Sequence, residues 1–326
     1  MRAPSDSKPP VIIVGEVLVD CFADGHQVIG GAPFNVAWNL HGFGFDPLFI
    51  SSVGSDDVGQ QILAAMKRWG MRTQGLQIMD SQSSGRVHVE IIDGQPHYDI
   101  VHPVAFDFID SDPAVAAAKD YLAGREAATL YHGSLAYRSR QTAATITTLK
   151  QTIEASVFFD INIRDPHFDA TRMSEFMRAV TVLKCNWDEM NRLIGDAQVP
   201  DAVDDSIPDA ADDSIPDASE DQARFQTAEA TISKFGLDAI WLTAGSSGAH
   251  FITRGGGTQS LGTPHVAREN LGDTVGAGDA FAAAAIAGQA LGMSPKEILQ
   301  WAVQHAAKVC TLRGATTEDR GFYASE

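Results

Sequence analysis

Asp273-Thr274-Val275-Gly276-Ala277-Gly278-Asp279-Ala280-Phe281 stands immediately before a long Ala-rich run that reads as a helix over Gly278–Leu291. Small residues ahead of a helix leave backbone N–H groups free and let an anion come close. The helix N-terminus adds positive potential. Such a turn would hold a phosphate in transfer on the N–H groups of Gly276, Ala277 and Gly278. Asp279 falls in the first helical turn, where a carboxylate can take the proton of an attacking hydroxyl. The potential that favours the anion also makes Asp279 a weaker base. Phosphoryl transfer tolerates this, because positioning and charge neutralisation supply most of its rate. The plainer alternative is a Gly-rich turn whose Asp stabilises a helix start.

Outward from this helix, apolar β-branched runs alternate with helical stretches. Val11–Val19, Leu48–Val53, Leu130–Leu135, Val157–Ile161, Val182–Cys185 and Ile240–Thr243 read as buried strands. Asp57–Trp69, Pro113–Leu122 and Gln141–Ala155 read as helices, and Ser294-Pro295-Lys296-Glu297 is a capping box that starts another toward Thr311. Alternation of this kind favours a mostly parallel sheet with helices on both faces, and ligands beyond the carboxyl ends of its strands. Arg86–Ile92 breaks the pattern. It alternates, meets a hairpin turn at Asp93-Gly94, and resumes at Pro96–Val101 as antiparallel structure. Residues 21–34 offer a further strand or two.

Composition narrows the function. A net charge of −18 argues against nucleic acid and anionic membranes as partners. Nine acidic residues between 201 and 221, with no Lys or Arg among them, supply half of it. That stretch repeats Asp-Asp-Ser-Ile-Pro-Asp-Ala at 204–210 and 212–218, so residues 198–222 read as a solvated acidic insertion. No run of about 18 apolar residues exists, so no transmembrane helix is expected. Cys21, Cys185 and Cys310 are scattered and odd in number, which fits a reduced cytoplasm rather than a disulfide framework or a zinc site. Neither G-x-x-x-x-G-K-[ST] nor G-x-G-x-x-G after the first strand is present, which removes the main support for a P-loop or a nicotinamide dehydrogenase.

Asp273–Phe281 resembles the C-terminal motif of the ribokinase-like, or PfkB, carbohydrate kinases. Gly30-Gly31-Ala32-Pro33-Phe34-Asn35-Val36-Ala37 resembles their N-terminal sugar-binding motif, and Gly54-Ser55-Asp56-Asp57-Val58-Gly59 their G-x-D-x-x-G. Gly15-Glu16-Val17-Leu18-Val19-Asp20 is similar to the first strand of fructokinase-like members. The resemblance spans residues 11–316. It implies a three-layer α/β/α sandwich with a small β-sheet lid, ATP and Mg²⁺ as cofactors, and a small sugar as substrate. Fructose is the first expectation, with ribose, ketodeoxygluconate or a nucleoside as alternatives. A non-catalytic sugar or nucleotide sensor on the same fold is the reading from another class. The large unit would comprise 11–20, 35–83 and 107–326, and the lid 21–34 and 84–106.

The resemblance also assigns residues. Asp20, Gly30, Gly31 and Asn35 would bind the sugar, although Asp20 also reads as a strand-end polar residue and Asn35 as a helix cap. Arg164, in Asp160-Ile161-Asn162-Ile163-Arg164, would reach a sugar hydroxyl or a phosphate, or else form a surface salt bridge. Asn186 and Glu189, in Asn186-Trp187-Asp188-Glu189, match the N-x-x-E motif, with Glu189 acting on Mg²⁺ through water. Thr243, Gly245 and Gly248 would line the nucleotide, and the helix with His305 would close the adenine pocket. Asp273, the Val275 carbonyl and Gly314 occupy the region where some members bind K⁺. A homodimer stays open.

The acidic repeat carries no phosphate-binding group. Replacing 201–221 by a short Gly/Ser linker is expected to leave fold and turnover nearly intact, since loop length costs only about 0.6 kcal/mol per doubling. Loss of turnover in a variant with the parent's thermal transition would contradict this.

Overall fold

Along Val11–Val14 the side chains alternate as a period-2 strand requires. Val11 and Ile13 enter one apolar cluster, while Ile12 and Val14 enter another. This strand, β1, lies inside a nine-stranded sheet. The other strands in chain order are β2 (Leu18–Phe22), β3 (Gln27–Gly30), β4 (Leu48–Gly54), β5 (Leu76–Met79), β6 (Gly85–Ile92) and β7 (Gln95–Ile100). They continue with β8 (Ala128–Gly133), β9 (Ala155–Asp160), β10 (Val182–Asn186), β11 (Ala239–Thr243), β12 (Ala249–Thr253) and β13 (Thr258–Leu261). The computed structural model describes residues 8–92, 95–125, 128–194, 218–264 and 274–324.

The large sheet has the order β13-β12-β11-β10-β9-β8-β1-β4-β5. It is parallel from β5 to β11, and β12 and β13 are antiparallel. One face packs on α1 (Ala32–Gly42), α2 (Asp57–Trp69), α8 (Ala277–Ala290) and α9 (Pro295–Val309). The other packs on α3 (Ser111–Leu122), α4 (Arg140–Thr152), α5 (Ala170–Phe176), α6 (Trp187–Ile194) and α7 (Ala218–Phe235). A second sheet, β3-β2-β6-β7, is a separate four-stranded layer. Its Leu18, Val87 and Val89 pack on Phe106 and Leu135. The expected three-layer sandwich with a smaller sheet is the observed fold.

Several boundaries differ from the sequence reading. Val11–Val19 is not one strand. The chain leaves the large sheet at Gly15, where φ is 154°, and β2 joins the small sheet. The Pro33 ring lies where a Cβ on Gly15 would go, so the break is packed in place. The small sheet therefore takes in residues 18–20, and Ala32–Phe34 belong to α1 rather than to the lid. Helix α4 stops at Thr152, and Ala155 already starts β9. The end of the 198–222 stretch begins α7 at Ala218, whereas the repeat before it and the Asp93-Gly94 turn lie outside the described residues.

Helix α8 is buried almost throughout, from Asp279 to Gly288. Alanine lets its neighbours come close. A Cβ on Gly288 would lie 2.6 Å from Ile298 Cγ1 on α9. The Asp56 motif has a structural task. Asp56 caps α2 by accepting from Gly59 N–H at 2.9 Å, and it also accepts from Ser84 N–H at 3.1 Å and Ser84 Oγ at 2.5 Å. It thus ties α2 to the start of β6. Gly59 is required because a Cβ there would collide with the Gly54 carbonyl.

Burial alone would raise the Asp56 pKa, but the bonds from Ser84 and Gly59 outweigh it and hold the group below its ordinary value. Its contribution is then present above the unfolded carboxyl range and lost as pH falls through the folded pKa. Asp56→Ala is expected to cost about 1–2 kcal/mol at neutral pH. The gap to the parent should close below about pH 4. Urea unfolding across pH measures both.

Candidate active site

Parallel strands end on one edge, and the chemically able side chains collect there. Glu16 follows β1, Asp160 ends β9, Asn186 ends β10 and Thr243 ends β11. Helices α1 and α8 start at the same edge. Asn35, one turn into α1, donates from Nδ2 to Asp279 Oδ2 in the first turn of α8 at 2.8 Å. This bond spans 244 residues of sequence and joins the two glycine-rich motifs. Both side chains are buried, Asp279 at 8% exposure.

The turn before α8 is left-handed at Gly276, with φ 83°. A Cβ there would collide with Ala315, so only glycine lets the two segments meet. Ala277 N–H bends back to the Thr274 carbonyl at 3.3 Å. This corrects the expectation that it would face a phosphate. The first α-helical bond is Ala280 N–H to Gly276 O, which puts the N–H groups of Gly278 and Asp279 ahead of the ladder.

Lys184 was not singled out from the sequence. It lies on β10, and its Nζ sits 3.3 Å from where a Cβ on Gly278 would be. The ammonium bonds both carboxyl oxygens of Asp160, at 2.9 and 3.0 Å, and the Tyr131 hydroxyl donates to the same carboxylate at 3.3 Å. Burial alone would lower the Lys184 pKa. The carboxylates of Asp160, Glu189 and Asp279 outweigh it and hold the ammonium above its ordinary value. A charged residue inside Val182-Leu183-Lys184-Cys185, an otherwise apolar strand, was the available signal.

Glu189 is tightly engaged. It accepts from Asn186 N–H and from Ile163 N–H, both at 2.9 Å, while Asn186 Oδ1 accepts from Glu189 N–H at 2.8 Å. This reciprocal cap starts α6 and fastens the loop after β9. Arg164 on that loop is exposed and donates to its neighbour's carbonyl, Ile163 O, at 2.9 Å. Asn162 before it has φ 39°. The loop after β11 turns through Gly245 at φ 51° and Gly248 at φ 109°, where a Cβ would strike the Leu261 carbonyl. Thr243 Oγ1 donates to the Cys185 carbonyl at 3.4 Å.

Asp20 reaches the glycine pair from the small sheet, its Oδ2 3.5 Å from where a Cβ on Gly30 would be. Gly314 (φ 91°) and Ala315 flank Gly276, and Val275 is exposed, while Asp273 lies outside the described residues. His305 is a correction. It is buried at 5% exposure, bonded to Asn39 Oδ1 at 2.8 Å, and packed on Phe43, Phe322 and Tyr323. Burial pushes its pKa down to about 3. It is a core residue holding α9 against α1, not a wall for a ligand. Among the described residues, Cys21, Cys185 and Cys310 form no disulfide. Among the described residues, no helix is long and apolar enough to cross a membrane, and no cluster of three His, Cys, Asp or Glu is arranged to hold a metal.

The sequence matches the pfkB family of carbohydrate kinases over residues 13–320. No curated protein matches it in sequence. Among solved structures it is similar to a double-mutant fructokinase from Vibrio cholerae O395 in a fructose, ADP and potassium ion bound form, with a TM-score of 0.75, 21% identity, and 98% of each chain covered. A ribokinase from Arabidopsis thaliana complexed with ribose and ATP gives a TM-score of 0.73 at 19% identity, again over 98% of each chain. An aminoimidazole riboside kinase from Salmonella enterica, complexed with aminoimidazole riboside and an ATP analog, gives 0.72 at 20%, covering 97% of this chain and 100% of that one.

Lys184 without its partner, or the reverse, would leave a buried charge. Lys184→Met is expected to destabilise the fold by about 3–5 kcal/mol. Adding Asp160→Asn should recover much of that loss in chemical denaturation, because the pair is then replaced by neutral groups.

Proposed function

The chain belongs to the pfkB family and is an ATP-dependent carbohydrate kinase, and from that premise we propose that it phosphorylates a sugar of the fructose class, with Asp279 as the base. The observation that carries the reading is the Asn35–Asp279 bond. It fixes Asp279 Oδ2 and leaves Oδ1 to take the proton of the attacking hydroxyl. The sugar would lie at the Gly30–Gly31 corner between Asp20, Asn35 and Asp279. The Gly278 and Asp279 N–H groups and the Lys184 ammonium then face the transferred phosphoryl group, whose charge they stabilise. Arg164, exposed on the loop after β9, would reach a sugar hydroxyl or a phosphate. Thr243, Gly245 and Gly248 would line the nucleotide.

Glu189 fits an outer partner of Mg²⁺. Each carboxyl oxygen holds one N–H and keeps a lone pair for a metal-bound water. When bound with ATP, Mg²⁺ neutralises phosphate charge. The approach of Gly276 to Ala315 would suit K⁺ held by the Val275 and Gly314 carbonyls, and the Vibrio fructokinase has potassium bound. Fructose is favoured over ribose by Gly15–Asp20, similar to fructokinase-like chains. The small sheet would act as a lid that excludes water, so that the sugar rather than water is phosphorylated. Three scattered cysteines without a disulfide among the described residues suit a reducing cytoplasm.

ADP release over a sugar panel tests the substrate. Fructose should give the highest kcat/KM, and a clear preference for ribose or a nucleoside would replace it. Asp279→Asn should fold and bind both substrates, with kcat lowered about 10²–10⁴-fold. Near-parent turnover would remove Asp279 as the base.

A further inference from the structure

The glycine corner has one acidic neighbour that the reaction above does not use. Glu16 follows Gly15 where β1 ends. It is only 4% exposed, and its Oε2 has no hydrogen-bond partner among the described residues. A buried carboxyl oxygen left in that condition calls for an explanation.

Its position supplies one. Gly31, the N-cap of α1, has φ 109°, and a Cβ there would lie 2.9 Å from the Glu16 carbonyl oxygen and 3.3 Å from Glu16 Cγ. The Glu16 side chain therefore runs alongside the corner, and Gly31 is small partly to admit it. One turn further on, Asn35 Oδ1 is also buried and without a partner among the described residues, while Asn35 Nδ2 holds Asp279. Asp20 approaches from the other side. Acceptors thus surround this corner.

The charged groups facing Glu16 do not complete it. Arg138, after β8, is committed to Asp107 at 2.7 Å and to the Val101 carbonyl at 2.9 Å. Arg164, after β9, is exposed and bonds Ile163 O. Asp279 on α8 repels it, and the Tyr131 hydroxyl on β8 donates to Asp160. What Glu16 Oε2 and Asn35 Oδ1 lack is a donor that carries no charge. A polyhydroxyl ligand supplies several.

We propose that Glu16 is a further sugar-binding residue, whose Oε2 accepts a hydrogen bond from a sugar hydroxyl other than the one phosphorylated, and so helps decide which sugar is taken. This rests on the reading that the sugar lies at the Gly30–Gly31 corner. Burial pushes the Glu16 pKa up to about 7, against the pull of its own backbone N–H, Arg164 and Arg138 and with the push of Asp279. The ionised form is the stronger acceptor. Sugar affinity should therefore rise as pH climbs through that region, while ATP affinity need not follow.

The test compares the parent and Glu16→Gln with the best sugar of the panel and its monodeoxy analogues. Gln keeps the length and shape but not the charge. Its sugar KM should rise about 10- to 100-fold, the range for a hydrogen bond to a charged group, with the ATP KM unchanged. The fall in sugar KM from pH 6 to pH 8 should disappear. One deoxy analogue that is penalised in the parent should lose most of that penalty in the variant, a non-additivity that marks direct contact. If Gln does not fold, Glu16→Asp keeps the charge, and should raise the sugar KM while the pH dependence persists. A folded variant with the parent's sugar KM overturns the proposal. So does a raised KM with every deoxy penalty intact, which would make Glu16 a packing residue. A parent that phosphorylates no sugar would remove the site reading and this inference together, whereas an active parent with an indifferent variant removes Glu16 alone.

Discussion

One hydrogen bond, from Asn35 to Asp279, demands that two helix N-termini from opposite ends of the chain meet at a fixed separation. Much of the architecture can be understood as meeting that demand. Helix α1 follows the small sheet and α8 follows the last strand of the large one, yet both lie on the same face. Helix α8 is built from alanines, so it can sit close to its neighbours without side chains that force it away. Trp241 from the sheet and Phe281 on α8 lie 6.1 Å apart in edge contact, and the Trp38 indole donates to Thr317 O at 2.9 Å, drawing the C-terminal segment over α1. A close-packed interior leaves little freedom to displace either helix. Positioning of this accuracy is what an acceptor hydroxyl and a phosphoryl group require.

The second constraint is charge. Glu16, Asp160, Glu189 and Asp279 all lie near the sheet edge, and ATP brings more negative charge to it. Against these stand the first turn of α8, the guanidinium groups of Arg138 and Arg164 near Glu16, and the buried Lys184 ammonium. Lys184 on a flexible stem would be a poor fixed charge. Asp160 cures this by binding the ammonium with both oxygens, and Tyr131 in turn holds Asp160. The pair has a desolvation cost that a core of apolar groups would not carry. Its benefit is a cation held still beside Gly278, where a phosphoryl group would develop charge.

The sequence makes the layers legible because their causes are local. Helix α2 occupies Asp57–Trp69 as read, since Asp56 caps it and Gly70, at φ 91°, ends it. The Ser294 capping box likewise starts α9. Causes that act across the chain were harder to see. Val11–Val19 is apolar on both sides of Gly15-Glu16, and neither half's pattern says that the second joins another sheet. His305 shares a helix with plausible ligand positions, and only its bond to Asn39 and its aromatic shell reveal a core residue. Glu189 was legible as an acid at a helix start, but its grip on the loop after β9 depends on Ile163, 26 residues earlier. Ala277 faces its own turn because Gly276 bends the chain, a detail below the resolution of a motif.

The break in that first strand also explains where the proposed sugar corner lies. The chain passes from the large sheet to the small one at Gly15–Val17 and returns at Gly30–Ala32. Both crossings contain a glycine with positive φ, Gly15 at 154° and Gly31 at 109°. Glu16 sits in the first crossing, and Asp20 and Asn35 lie within a few residues of the two. The corner is therefore the joint between the sheets itself. Any rotation of the small sheet against the large one has to be absorbed in part by these crossings, because the strands on either side are fixed by their ladders. Side chains mounted at a joint change their spacing when it turns. A ligand that bridges Asp20 on the small sheet to Asn35 and Asp279, on the helices packed against the large one, binds best at one angle, so its binding energy acts directly on that angle.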